Sequence, residues 1–214
     1  REGGPIWITC GGNHDNWPFW RTLPEVNLFG GKVRELAPGC FFAERGTVLN
    51  IGGEKHLFFG GAESIDRYQR KEGRDWCREE TPTYPEFCKF MDALESERPQ
   101  VVVTHDGPIS IPIYKHNRDM SPTPRNLENV FRNSNHLPDR WYFGHHHIND
   151  NWEMRGVHFV LPGEAALPLH YLLKYWMQSS RHSVSRSGEG ISPVRSSCST
   201  HWAITQSSTF RIAS

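Results

Sequence analysis

The chain has 214 residues, with 24 basic and 24 acidic side chains, 12 His and a hydrophobic share of 36%. At about 150 residues per domain, this length accommodates one compact domain and a short extension, and it excludes a multi-domain assembly. The even charge balance excludes the overall cationic field that long nucleic acids or anionic membranes usually need, but a local basic groove for nucleic acid is compatible with it. No run of about 18 apolar residues occurs, which excludes a transmembrane helix.

The cellular location is predicted from the first residues and from the cysteines. The opening R-E-G-G-P does not lead into the apolar segment and cleavage site of a secretory signal. The five Cys are scattered and show no C-x-x-C spacing, and an odd number is more typical of reduced thiols than of a disulfide framework. We therefore expect a cytoplasmic protein with no membrane partner. The sequence leaves the oligomeric state open.

The first predicted elements are a strand and a hairpin. Residues 5–10 form a short apolar run with β-branched side chains, closed by a Gly pair at 11–12, which is typical of a buried strand that ends in a tight loop. Residues 46–59 are two apolar runs around a Gly pair at 52–53, and this pattern predicts a β-hairpin. Another Gly pair at 60–61 closes the hairpin.

A long polar loop and a helix follow. Residues 62–82 are charged and show no periodicity, and loops of this length are usually either functional or disordered. Thr83 and Glu86 have the spacing of a capping box, and apolar residues at helical spacing extend from there to about Glu97. The apolar residues 100–104 then predict a second buried strand.

The last predicted elements are a short helix at 124–133 and strands at 140–143 and 157–161. Strands and helices therefore alternate in β-α-β order, which favours a layered α/β domain with mixed sheets. We assign this domain to residues 1–176. Residues 177–214 are rich in Ser and Arg and poor in apolar side chains, which predicts a disordered tail. The same composition is compatible with a phosphorylated or RNA-contacting segment.

Polar clusters follow three of the predicted strands. They are G-N-H-D at 12–15, T-H-D-G-P at 104–108 and G-H-H-H at 144–147. In layered α/β folds, ligands bind at the carboxyl ends of strands, and imidazole nitrogen with amide or carboxylate oxygen suits Zn²⁺, Fe or Mn²⁺. The three clusters together predict a metal site at one edge of a sheet.

The spacing of the His residues indicates their roles. His145 and His147 are two positions apart, so on an extended backbone both imidazoles project to one side and reach one metal ion or two adjacent ions, while His146 faces away as a bystander. Simpler interpretations exist for each cluster, since a His beside a strand end is often only a polar surface residue, and N-H-D alone is compatible with an Asx-turn before a helix. Their joint occurrence favours a site.

The neighbours in the N-H-D segment point in different directions. Asn13 is placed to ligate a metal ion through its amide oxygen, while His14 stays unligated near the substrate and is available as a general acid. We expect Asp15 to accept a hydrogen bond from His14 and to keep its imidazole protonated to a higher pH.

In order along the chain, the G-N-H-D block, the lone His105 after a strand and the G-H-x-H block at 144–147 resemble the motifs of calcineurin-like metallophosphoesterases. The resemblance covers about residues 5–165. Further segments are similar to the small bacterial and phage-type members: residues 45–47, 60–62 with Ser64, Asp66 and Arg67, 73–76, 79–80 and 104–106.

The resemblance implies a layered β-sandwich flanked by helices and a site with two divalent ions, Mn, Fe or Zn. It implies that Asn13, His105 and His145 ligate one ion, that His147 ligates the other, and that His14 is the catalytic acid. The implied reaction is attack of a metal-activated water on phosphorus. Its implied substrates are a phosphorylated small molecule, a nucleotide or a phosphoprotein.

The chain departs from this family at its beginning. The family's D-x-H block and G-D-x-x-D block, which supply the remaining ligands and the bridging Asp, do not occur in the sequence. We therefore expect an N-terminally incomplete member that lacks its first strands, holds at most one ion well and has weak or no activity. Alternatives are a non-catalytic remnant that binds one cation through Asn13, His105 and His145, and a structural protein whose His cluster captures metal adventitiously.

The loop at 62–82 is also a candidate wall of the substrate pocket. Guanidinium groups bind phosphate through paired hydrogen bonds, so Arg67 and Arg70 are the predicted substrate-binding residues, with Trp76 stacking on a base or aromatic leaving group. The alternative is an ordinary solvated loop with Trp76 packed into the core.

Overall fold

The first β-sheet brings together both ends of the described chain. The computed structural model describes residues 6–115, 121–162 and 209–212. The strands of this sheet are β1 (Ile6–Thr9), β2 (Glu25–Leu28), β3 (Gly31–Ala37), β4 (Cys40–Phe42) and β11 (Thr209–Ile212), in the order β11-β1-β4-β3-β2. Since β1 pairs parallel with β4 and antiparallel with β11, the sheet is mixed.

The second β-sheet carries two of the three polar clusters. Its strands are β5 (Thr47–Ile51), β6 (Glu54–Phe59), β7 (Val101–Thr104), β8 (Arg140–Tyr142), β9 (Asn149–Met154) and β10 (Val157–Pro162), in the order β5-β6-β7-β8-β10-β9. The four inner strands run parallel, and β5 and β9 are antiparallel edges. Every residue of β7 is buried, as expected for a central parallel strand.

The helices are α1 (Trp17–Trp20), α2 (Tyr84–Glu97) and α3 (Pro122–Asn133). The predicted capping box is confirmed, because the backbone N–H of Thr83 donates to the Glu86 carboxylate over 2.8 Å at the start of α2. The helix ends at Arg98, which adopts a left-handed φ of 49°. Short 3-10 turns at Arg67–Gln69, Arg78–Glu80 and Pro112–Lys115 complete the described elements.

Two buried clusters define how these elements are stacked. Leu94 of α2 and Phe131 of α3 share one cluster with Trp141 and Phe159 of the second sheet, so both helices cover one face of that sheet. A separate cluster contains Ile8, Val33 and Leu49 together with other residues of both sheets. The opposite face of the second sheet therefore packs against the first sheet.

The predicted α/β class with mixed sheets is confirmed, and the predicted strands and helices agree with β1, β5 to β8, β10, α2 and α3 to within about two residues. The sequence analysis did not predict the strands at 25–42 or β9. β9 is an exposed edge strand that begins Asn-Asp-Asn, and these residue types disfavour strands when they are judged alone.

Only four residues of the predicted disordered tail at 177–214 are described. Thr209–Ile212 form β11, which pairs antiparallel with β1. The rest of the predicted tail, at 177–208 and 213–214, and the predicted domain boundary at 176 lie outside the described residues. None of the helices in the described ranges combines the length and the apolar character needed to cross a membrane.

Candidate metal centre at the strand ends

Backbone hydrogen bonds tie together the loops that follow four strands. The N–H of Gly61 donates to the carbonyl of Gly11 over 3.0 Å, which joins the loop after β6 to the loop after β1. The N–H of His105 donates to Phe59 over 3.3 Å, and the N–H of Gly144 donates to His105 over 3.0 Å. These bonds place all three polar clusters at one edge, as the strand-end pattern predicted.

Gly60 is what allows the loops after β1 and β6 to come this close. A Cβ atom at this position would overlap the carbonyl group of Cys10, so no larger residue fits without moving the backbone. The Gly pair at 60–61 therefore does more than close the hairpin. It joins the first sheet to the second beside the G-N-H-D segment.

Asn13 and His105 meet in this buried corner. Asn13 is 6% exposed and His105 is 1% exposed, and Nε2 of His105 lies 3.0 Å from Oδ1 of Asn13. Two ligands bound about 2.1 Å from one tetrahedral ion lie about 3.4 Å apart. The separation of these two atoms is therefore close to what shared ligation requires.

His145 completes a group of three donors. Its ring is 5.0 Å from the ring of His105, measured between centroids, in an edge-to-face arrangement. Burial, followed by the nearby His145, holds the pKa of His105 well below its usual value. At neutral pH His105 is therefore a neutral imidazole, the form of His that ligates metal ions. The structure thus brings together Asn13, His105 and His145.

The expectation of an extended backbone through the His run is wrong. β8 ends at Tyr142, and His145 and His147 both adopt left-handed conformations, with φ of 69° and 57°. Each such conformation costs a residue other than Gly about 1–3 kcal/mol. The rings are therefore directed by a tight turn and not by strand alternation.

His146 is not a bystander. Its Nε2 lies 3.0 Å from Oδ1 of Asp106, a carboxylate that is fully buried. The same oxygen accepts the N–H of Gly107 over 2.8 Å, and the hydroxyl of Thr104 donates to the Asp106 carbonyl over 2.5 Å. His146 therefore fastens the turn that carries His145 and His147 to the loop after β7.

His147 lies near the other candidate residues but adds only one donor. It is close enough to His14 to contribute, with His145, to lowering the pKa of that imidazole. Among the described residues, no group of three or more His, Cys, Asp or Glu side chains has the arrangement of a metal site. The candidate set at this edge depends on the amide of Asn13 as well as on two imidazoles.

His14 faces Arg70 and not Asp15. Nη1 of Arg70 lies 2.5 Å from Nδ1 of His14. Burial, followed by the charge of Arg70, lowers the pKa of His14 from 6.5 to about 4, whereas the sequence analysis expected a raised value. At neutral pH His14 is therefore uncharged. A guanidinium only donates hydrogen bonds, so Nδ1 is the acceptor and the ring proton resides on Nε2.

Asp15 stabilises the turn of its own segment, so the predicted hydrogen bond to His14 is wrong. Its Oδ2 accepts the N–H of Gly12 over 2.6 Å, and its Oδ1 is buried without a hydrogen-bond partner. Burial raises the pKa of Asp15 to about 7, although the Gly12 hydrogen bond opposes this shift. Trp17 supports the same turn, since its Nε1 donates to the Gly12 carbonyl over 2.8 Å.

Of the two predicted substrate-binding arginines, one lies beside the candidate centre and the other does not. Arg70 contacts His14 and is held by Asp66, whose Oδ2 accepts from Nε and Nη2 over 2.9 and 2.7 Å. Arg67 instead pairs with Glu63 and packs over the exposed ring of Tyr68. Only Arg70 is therefore brought to the candidate centre. Trp76 is partly buried in the same loop.

Sequence reasoning missed the roles of two buried residues beside Asn13. Ser64 and Glu80 are each 1% exposed, and Ser64 contacts both the side chain and the backbone of Asn13. The only indication of these roles was that Ser64 and Glu80 fall in segments that resemble metallophosphoesterases. No spacing rule links Ser64 to Asn13, which is 51 positions away.

Comparison with known proteins identifies no family for this chain. Neither models of protein families nor curated proteins match the chain. The chemistry of the centre is therefore inferred from the donors, their burial and their contacts.

Proposed function

We propose that this chain is a metal-dependent phosphoester hydrolase of the calcineurin-like class that binds one divalent cation through Asn13, His105 and His145. The observation that carries the proposal is the 3.0 Å contact between the Asn13 amide oxygen and His105 Nε2, with the ring of His145 against His105. The two mixed sheets, with these residues at the ends of β1, β7 and β8, are consistent with the proposed class.

The donor chemistry fits one ion. An amide oxygen and two imidazoles suit Mn²⁺, Fe or Zn²⁺, and burial keeps His105 in its neutral form. His147 would offer a second ion a single donor, so we do not assign a second ion to this chain. The set holds no carboxylate to offset the charge of the cation, which favours modest affinity.

A bound cation and two residues of the chain would then act on a phosphoester. A bound divalent cation would polarise a phosphoryl oxygen and lower the pKa of water for attack on phosphorus. Arg70, held in place by Asp66, would orient another phosphoryl oxygen through its guanidinium charge. His14, neutral beside Arg70, has an Nε2–H that would stabilise the departing oxygen by donating a hydrogen bond, without transferring its proton.

We expect turnover to be weak. The sequence contains no D-x-H and no G-D-x-x-D block, so it lacks the bridging carboxylate of the proposed class. Suitable substrates are phosphorylated small molecules, nucleotides or phosphoproteins. The second candidate is a non-catalytic protein that binds one cation through the same three residues. It is favoured by the donor set, which consists only of neutral groups and contains no bridging carboxylate.

Hydrolysis of bis-p-nitrophenyl phosphate and p-nitrophenyl phosphate with Mn²⁺ separates the two candidates. A hydrolase would release p-nitrophenol slowly, and His105→Ala and His14→Ala would abolish the release. A matched control is His136→Ala, because the His136 ring contacts the carbonyl of Pro99, outside the candidate centre. Binding of Mn²⁺ without any turnover would support the second candidate, and turnover that survives His105→Ala would refute the proposal.

A further inference from the structure

Ser64 makes two different contacts with Asn13. Its Oγ lies 3.0 Å from the backbone carbonyl oxygen of Asn13 and 3.3 Å from the side-chain nitrogen Nδ2 of the same residue. Both residues are buried, with Ser64 at 1% and Asn13 at 6% exposure. The hydroxyl therefore contacts two Asn13 groups that differ in hydrogen-bond capacity, and the Glu80 carboxylate also interacts with the Ser64 side chain.

The single proton of the hydroxyl determines which way the Asn13 amide faces. A backbone carbonyl and a carboxylate only accept, so the single Ser64 proton is donated to the Asn13 carbonyl or to Glu80. Toward the side-chain amide, Oγ can then only accept. The amide must therefore present its NH₂ group to Ser64, and its oxygen must face the other way, where it lies 3.0 Å from Nε2 of His105.

Glu80 fixes the position of Ser64. Its Oε1 accepts the backbone N–H of Ser64 over 2.7 Å, and Glu80 is 1% exposed. The backbone of Glu80 is held in turn by Arg45, whose Nη2 donates to the Glu80 carbonyl over 2.9 Å. Ser64 thus belongs to a buried chain of contacts that runs from Arg45 to the amide of Asn13.

We propose that Ser64, held by Glu80, is a positioning residue that keeps the oxygen of the Asn13 amide, and not its NH₂ group, directed toward His105 and a bound divalent cation. This inference rests on the proposed function, because only the oxygen of an amide, and not its NH₂ group, can ligate a cation. Without the Ser64 hydroxyl, a half-turn of the amide would direct two N–H donors at the cation. Ser64 thereby selects which end of Asn13 is available for ligation.

The first test uses the metal-free protein. In ¹⁵N NMR, exchange of the Asn13 Nδ2 protons with water is expected to be slow, and Ser64→Ala is expected to accelerate it about tenfold, the loss of one buried hydrogen bond. The matched control is Ser134→Ala, since Ser134 is a buried serine whose hydroxyl lies 2.7 Å from Oε1 of Glu95. Equal exchange in the two serine variants would overturn the inference.

The second test measures Mn²⁺ affinity by calorimetry. Loss of a residue that orients a ligand typically weakens metal binding by about 10–100-fold, so Ser64→Ala is expected to fall in that range while Ser134→Ala stays at the wild-type value. In an Asn13→Asp background, Ser64→Ala should cause no comparable loss, because either carboxylate oxygen can ligate the cation and no amide has to be oriented. A general loss of stability would weaken binding in both backgrounds, and that result would overturn the inference.

The results separate this inference from the proposed function. If the wild-type chain binds Mn²⁺ and Ser64→Ala binds it equally well, only the positioning role is wrong. If the wild-type chain does not bind Mn²⁺, the proposed function is wrong and the role of Ser64 toward a cation is wrong with it.

Discussion

The guanidinium of Arg70 lies directly against the imidazole of His14, with Nη1 2.5 Å from Nδ1. The contact joins the loop at 62–82 to the G-N-H-D segment, determines the tautomer of His14 and adds to the effect of burial on its charge. Because burial and the positive charge of Arg70 disfavour the imidazolium, the pKa of His14 falls to about 4.

Replacing Arg70 with Gln is therefore expected to raise the pKa of His14 toward its usual value of 6.5. The increase is incomplete, because burial is the larger cause of the depression and is retained in the variant. Histidine resonances followed by NMR in a chelator-treated sample would measure the titration.

The control for this titration is Arg74→Gln, since Arg74 is an exposed residue of the same loop that pairs with Asp75. It should leave the titration of His14 unchanged. A wild-type titration near pH 6.5, or equal shifts in both variants, would contradict the assigned contact.

Arg45 is expected to be a major determinant of stability. Its side chain is 3% exposed, packs 3.9 Å from the centroid of the Trp17 ring, and pairs with Glu86 over 2.9 Å. Arg45→Met would leave Glu86 with Arg21 as its remaining ion-pair partner and would remove the hydrogen bonds from Arg45 to the carbonyls of Gly60 and Glu79. We expect a loss of about 3 kcal/mol in the free energy of unfolding, measured by urea denaturation.

The matched control for Arg45 is Arg78→Met, which removes an exposed ion pair with Glu72. Exposed pairs contribute little to stability, so this variant should unfold close to the wild-type urea concentration. If both variants lost the same stability, the buried position of Arg45 would not explain its effect.

His56 is expected to make the protein less stable as the pH falls. It is 5% exposed, and burial, the largest cause, lowers its pKa below the usual 6.5. In the unfolded chain His56 takes up a proton as the pH falls through 6.5, whereas in the folded chain it does so only at lower pH. The unfolded state is therefore favoured progressively below pH 6.5.

Urea denaturation of the wild type and of His56→Gln between pH 7.5 and 5.5 would isolate this contribution. The wild type should lose more stability than the variant over this range, since the other titrating groups are common to both. Parallel pH profiles would show that His56 does not titrate differently in the two states.

Gly60→Ala tests the junction between the two sheets. The added Cβ would overlap the carbonyl of Cys10, so the loop before Asn13 would have to move away from the loop after β6. We expect a loss of about 3 kcal/mol in unfolding free energy and loss of metal binding, because overpacking forces a backbone shift. Differential scanning calorimetry with and without Mn²⁺ would report both effects.

Gly53→Ala is the matched variant in the hairpin turn, where nothing lies within 4 Å of an added Cβ. Its φ of 87° makes Ala costly there by about 1 kcal/mol, without any overlap. Retained metal binding in Gly53→Ala and lost binding in Gly60→Ala is the expected pair of results. Loss in neither variant would argue against the close approach at Gly60.

The parts of the fold that could be predicted are those with local signals. The capping box at Thr83 and Glu86, the Gly pair of the hairpin and the apolar runs of the inner strands each specify their element within a few residues. The convergence of Asn13, His105 and His145 also followed from the sequence, since strands that end in polar clusters bring those clusters to one edge.

The parts that could not be predicted depend on distant contacts or on conformations without a sequence signal. The left-handed turns at His145 and His147 are unusual for residues other than Gly, so an extended backbone was the natural expectation. The contact of Arg70 with His14 joins residues 56 positions apart, and β11 pairs with β1 across nearly the whole chain. Neither pairing has a periodicity from which it could be inferred.

Calorimetric titration of the chain with Mn²⁺ tests the proposed centre most directly. We expect one ion per chain, with binding lost in Asn13→Ala, His105→Ala and His145→Ala and retained in His136→Ala. Absence of binding in the wild type, or binding that survives all three ligand substitutions, would contradict a metal centre formed by these residues.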